Sequence, residues 1–121
     1  MFRLGVIEES LEHKQALDKL IPFFFSQRIE NVPEDIEPVW HTNEYHVPDE
    51  KIEPILDFLS NEIKLTWYIH AFSDNQLYVT LKGKVFKLSP QKDSTWNEMI
   101  EYGIEKANVE RRFLENVPLH V

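Results

Sequence analysis

The sequence predicts an α+β domain: a ferredoxin-like βαββαβ core extended by a ββ meander and a C-terminal helix, about six strands in all, with the helices on one face. Three observations carry this. Apolar residues alternate at period two in Phe2 to Ile7, Leu77 to Leu81 and Val85 to Leu88, whereas Ile52, Ile55, Leu56, Leu59 and Ile63 recur at helical spacing. The elements also follow the order strand, helix, strand, strand, helix, strand, before two further strands and a helix. Right-handed crossovers then put the first strand between the third and the fourth, for a spatial order of 2-3-1-4-5-6.

The first strand presents Phe2, Leu4 and Val6 to one face and Gly5 to the other. From Ser10, an N-cap residue, Leu11, Leu17, Leu20 and Ile21 predict a helix over 9–21 that Pro22 stops. Residues 23–32 are aromatic and β-branched and read as a strand; if they are instead irregular or helical, five strands remain. A polar loop from Pro33 to Pro38 leads to the next strand, 39–47, and Pro48 then suits the first turn of the helix that carries the stripe over 52–63.

Leu65 to Phe72 reads as a strand with Leu65, Trp67, Ile69 and Ala71 on its apolar face. Ser73, Asp74 and Asn75 turn the chain into Leu77 to Leu81, and Lys82-Gly83 is a two-residue hairpin turn. These last three strands are expected to share one apolar face with the helices, so that Trp67, Ile69, Leu77, Val79 and Phe86 lie in one core. Thr95 and Glu98 have the form of a capping box, and Trp96, Met99, Ile100, Ile104 and Ala107 supply the buried side of the last helix.

At 121 residues a single domain spanning 1–121 is expected, with roughly two thirds of the unfolded surface buried. The formal net charge of −8 opposes phosphate backbones and anionic lipid, so neither nucleic acid nor membrane is an expected partner. There is no cysteine, which removes thiolate nucleophiles and cysteine-held metals. No segment approaches the ~20 apolar residues of a membrane span, and a cytoplasmic location is the expectation. With three glycines, no phosphate-cradling loop or nucleophile elbow is present, and no cofactor or metal is expected.

Two stretches concentrate the remaining chemistry: Val39 to Val47 and Thr66 to Phe72 hold two of the three tryptophans and three of the five histidines. Strand parity puts Tyr68, His70 and Phe72 on the face away from the helices, beside Gly5, whose missing side chain lowers the floor. His41 and His46, five residues apart, must point to opposite faces, so either His41 and Tyr45 or Glu44 and His46 join His70.

The candidate ligand-binding residues are therefore Gly5, Tyr45, Tyr68, His70 and Phe72, and the catalytic candidates His70, His41 and Glu44. The leading reading is a non-enzymatic module that binds a protein partner or small molecule on the open sheet face. That amphipathic face, with Tyr68, Phe72 and Tyr78, would serve a homodimer equally well. Two other readings are an enzyme using His70 as acid or base with His41 or Glu44, and an acidic inhibitor or immunity-type protein for a basic partner.

Trp67 to Phe72, Leu77 to Phe86 and Glu101-Tyr102-Gly103 resemble a family of small uncharacterised bacterial and archaeal proteins. Val6 to Leu11 and Trp40 to Pro48 are similar to its other recurring segments. The resemblance covers most of the chain, implies no catalytic residue, and does not extend to Asn108 through Val121.

Overall fold

The structure, a computed structural model, describes all 121 residues. Its element order is β1 (Phe2–Ile7), two 3-10 segments (Glu8–Ser10 and Lys14–Phe23), β2 (Phe24–Asn31), β3 (Val39–Val47), α1 (Asp49–Glu62), β4 (Ile69–Phe72), β5 (Leu77–Leu81), β6 (Lys84–Leu88), α2 (Trp96–Lys106) and α3 (Arg111–Leu114). The strands form one antiparallel sheet in the order β2-β3-β1-β4-β5-β6, the order that the crossover rule predicts. No helix is long and apolar enough to cross a membrane.

Each element has a local cause. In α1, Ile52, Leu56 and Leu59 are buried at spacings that line one helical face, and Pro54 lies near enough to the start to be accommodated. Gly83 takes φ +87° in the β5–β6 turn, a conformation that glycine adopts at little cost. Residues 24–31 do form a strand, joined to β3 by a loop that is closed where Val32 N–H donates to the Pro38 carbonyl.

The first crossover departs from expectation. Residues 9–21 were expected as an α-helix, but the chain makes 3-10 turns, interrupted where Leu11 bridges to Ile63. Leu17, Leu20 and Phe23 recur every three residues, the repeat that aligns in a 3-10 helix. β4 is also shorter than expected: Thr66 has φ +77° and donates its N–H to the Ala107 carbonyl, so regular pairing begins only at Ile69.

A larger correction concerns the helices, which lie on both faces. The Ser73 to Gln76 turn sets Ala71 opposite Tyr78 and Phe72 opposite Leu77, and directly opposed residues share a face. Leu77 and Val79 thus point away from Ile69 and Ala71. One core packs Phe2, Leu4, Val6, Ile69 and Ala71 against α1 and the Lys14–Phe23 segment. The other packs Leu77, Val79, Leu81, Phe86 and Leu88 against Trp96, Met99 and Ile100 of α2 and Leu114 of α3. Every residue of β4 and β5 is buried, as befits strands covered on both sides.

Candidate functional site

The sheet face opposite α1 carries a chain of mutually bonded side chains across four strands. Registers place Arg3 opposite both His46 and Phe72, and Gly5 opposite both Glu44 and His70. Arg3 donates to the Glu44 carboxylate through Nε at 2.8 Å and Nη2 at 3.2 Å. Nε2 of His46 lies 2.7 Å from Oε2 of the same carboxylate, and the His46 ring stacks on Phe25 at 4.0 Å. On the other side the Arg3 guanidinium sits 5.2 Å from the centre of the Phe72 ring.

Hydrogen bonds from Arg3 hold the Glu44 carboxyl below the usual carboxylate range; burial opposes this, and His46 adds to the lowering. At the Arg3 end of the row lies a hollow of about 720 Å³, lined among others by Asp49, Phe72, Asp74 and Leu119.

His70 belongs to this face, but it is not open. Its Nε2 donates to the His120 carbonyl oxygen at 2.9 Å, so the ring proton is fixed on that nitrogen, and its ring stacks on Phe72 at 5.7 Å. Burial pushes the imidazole pKa down. Tyr68 meets the ring edge-on at 6.1 Å and is itself pushed up to about 12 by burial. The expected depression over Gly5 is occupied, because a Cβ there would lie 3.0 Å from His70 Cε1 and 3.2 Å from the Val121 methyls. The chain's own C-terminal segment therefore fills the place where a pocket was expected.

The remaining candidates lie elsewhere. Tyr45 is on the opposite face with Leu4, so it does not join Gly5, His70 and Phe72; it is buried, and its hydroxyl accepts from Asn43 Nδ2 at 2.9 Å. His41 shares that face, which separates it from His70 by the thickness of the sheet. Tyr78 is on the α1 side as well, buried, and donates to Glu53 at 2.7 Å, so it is no part of an exposed surface. Of the catalytic candidates, only Glu44 and His70 share a face.

His41 instead forms a polar group with two acids. Its backbone N–H and Nδ1 lie 2.7 Å from the two carboxylate oxygens of Glu9. Burial raises the Glu9 pKa, but these bonds to His41 outweigh it and leave the carboxyl lowered. Glu8 accepts from Gln27 at 2.9 Å and from Asn43 at 3.1 Å, beside a cleft of about 520 Å³ between the Lys14–Phe23 segment and the β2–β3 hairpin. Ligand atoms of Glu8, Glu9 and His41 lie within 4.8 Å of one another, the spacing of a potential cation site. Lys14 already stands 3.7 Å from Glu9, however, and supplies positive charge there.

Strand parity sets Arg3 beside Gly5 and His70 but gives it no role, Glu9 reads as a solvated helix-entry acid, and Phe25 is not among the expected site residues. Arg3 follows from the parity that placed Gly5, whereas Phe25 reaches the face of His46 only through the bulge between Phe24 and Ser26, which simple alternation does not foresee. Glu9 gives no signal either, because its partner lies 32 residues away. No protein-family model matches the chain, and no curated protein or solved structure matches it significantly.

Proposed function

We propose that this protein is a non-enzymatic binding module that takes an extended peptide segment on the part of the sheet face that α2, α3 and the C-terminal segment leave free. The observation that supports this is the bonded row Phe25, His46, Glu44, Arg3 and Phe72. Each polar group in it already has a partner, so the side chains are pre-organised and lose little freedom on binding. Phe25 offers an exposed aromatic surface at one end, and the Arg3 guanidinium borders a hollow at the other. A peptide with an apolar side chain for Phe25 and a neutral hydrogen-bond acceptor for the Arg3 N–H groups that Glu44 leaves free matches this chemistry.

Catalysis is less well supported. A general base needs reach to a substrate proton, whereas His70 is buried with Nε2 engaged and His41 lies across the sheet. Selection of binders from a displayed peptide library tests the reading. Arg3→Ala and Phe25→Ala should each weaken the selected peptides by about tenfold, roughly 1.4 kcal/mol, while Lys51→Ala on the outside of α1 leaves them unchanged. Peptides indifferent to Arg3 and Phe25, or a library that yields none, would count against it.

A further inference from the structure

β2 is an edge strand of the sheet, and its outer side meets no other strand. Seven of its eight residues are exposed, among them Phe24, Phe25 and Ile29 at 52%, 60% and 62%. Proteins guard such an edge with charged residues, lysine above all, with proline, with bulges or by keeping the strand very short. Phe24–Asn31 has no lysine or proline and runs eight residues, so its guards are Arg28, Glu30 and one bulge. Its one irregularity, the bulge between Phe24 and Ser26, leaves residues 26–31 free to pair regularly. This stretch is electrically neutral, with Arg28 and Glu30 its only charges, in a chain whose net charge is −8.

We propose that β2 pairs antiparallel with β2 of a second copy about a two-fold axis through Ile29, joining the two six-stranded sheets into one. A two-fold perpendicular to the sheet keeps each face on its own side, so the axis must pass through a residue rather than between two. Four centres are then open within the strand. Arg28 as centre opposes two arginines, Glu30 opposes two glutamates, and Gln27 brings the bulged Phe25 opposite Ile29. Only Ile29 sets Arg28 opposite Glu30 of the second copy, twice, with Ile29 against Ile29 on the axis. Both charged side chains already lie on one face, where Arg28 Nη2 stands 3.3 Å from Glu30 Oε1. Repulsion between the two acidic bodies is screened beyond about 8 Å at physiological salt, and the neutral strand adds none at the seam.

This goes beyond the peptide-binding reading and does not depend on it. Sedimentation velocity over a concentration series of the full chain should give twice the 14.4 kDa chain mass. Ile29→Lys sets two ammonium groups across the axis and should return the mass to 14.4 kDa with an unchanged circular dichroism spectrum, because the Ile29 side chain is exposed. Arg28→Glu and Glu30→Arg should each be monomeric alone and form a dimer when mixed in equal amounts, since their strands are then oppositely charged. A monomeric wild-type chain would overturn the proposal while leaving peptide binding untouched. So would a dimer that survives Ile29→Lys, or a mixture of the two charge variants that fails to pair.

Discussion

The His70 ring closes over Gly5, its Cε1 atom 3.0 Å from where a Cβ at residue 5 would stand, and the Val121 methyls complete the lid. The C-terminal segment therefore keeps this imidazole out of water. Deleting Leu119 to Val121 should uncover it, and the titration midpoint of His70, held below 6.5 by burial, should rise toward that value. Following the ring proton by NMR against pH checks this. An unmoved midpoint would mean that something other than the tail buries the ring.

The same depression sets a pH dependence. A histidine whose folded pKa lies below its unfolded value of 6.5 leaves the protein most stable above that pH. Stability is then lost as the pH falls from there through the folded pKa, because the unfolded chain binds the proton more readily. Glu44 acts in the same direction at lower pH: its contribution is present above 4.5 and lost as the pH falls through its lowered folded value. Urea midpoints measured across this range should fall in both windows, and His70→Phe should flatten the upper one alone.

Glu44→Gln removes the charge that binds both Arg3 and His46. With the Arg3 side chain nearly half exposed, the cost should be about 1 kcal/mol rather than the larger value of a buried pair. Chemical denaturation at neutral pH reads it, and the lower window of the pH dependence should shrink in the same variant.

Gly103 lies within α2, where alanine would gain about 1 kcal/mol in helix propensity. Its added Cβ would stand 2.5 Å from Leu114 Cδ1, and Leu114 is fully buried and cannot swing away. Overpacking of this kind costs about 1 to 3 kcal/mol, so Gly103→Ala should be net destabilising and loosen α3 from α2. Thermal melting gives the sign, and greater amide exchange in residues 111–114 would locate the effect.

Three of the four tyrosines should ionise late, Tyr45 among them because burial raises it. Burial pushes Tyr68 up to about 12, and burial together with Glu53 does the same for Tyr78. An ultraviolet phenolate titration should show absorbance still rising there, and Glu53→Gln should bring one tyrosine's midpoint down.

The strand order was legible because right-handed crossovers and short connections leave few arrangements for these elements, and α1 was legible because Ile52, Leu56, Leu59 and Ile63 repeat over three turns. The side of β5 was not. Alternation says that Leu77 and Val79 share a face, but the register of the turn after Phe72 decides which face, and both sides of this strand are buried. For the same reason Gly5, His70 and Phe72 could be placed together from parity alone, while the tail that covers them could not be foreseen. The three-residue repeat of Leu17, Leu20 and Phe23 marks the 3-10 crossover locally, but nothing in local periodicity pairs Glu9 with His41.

The free half of the sheet face is tested most directly by amide chemical-shift mapping of the protein with a selected peptide. Shifts should concentrate at Arg3, Glu44, His46 and Phe25, with α1 unaffected. Shifts centred instead on α1, or on the Glu8, Glu9 and His41 group across the sheet, would contradict the assignment of this surface.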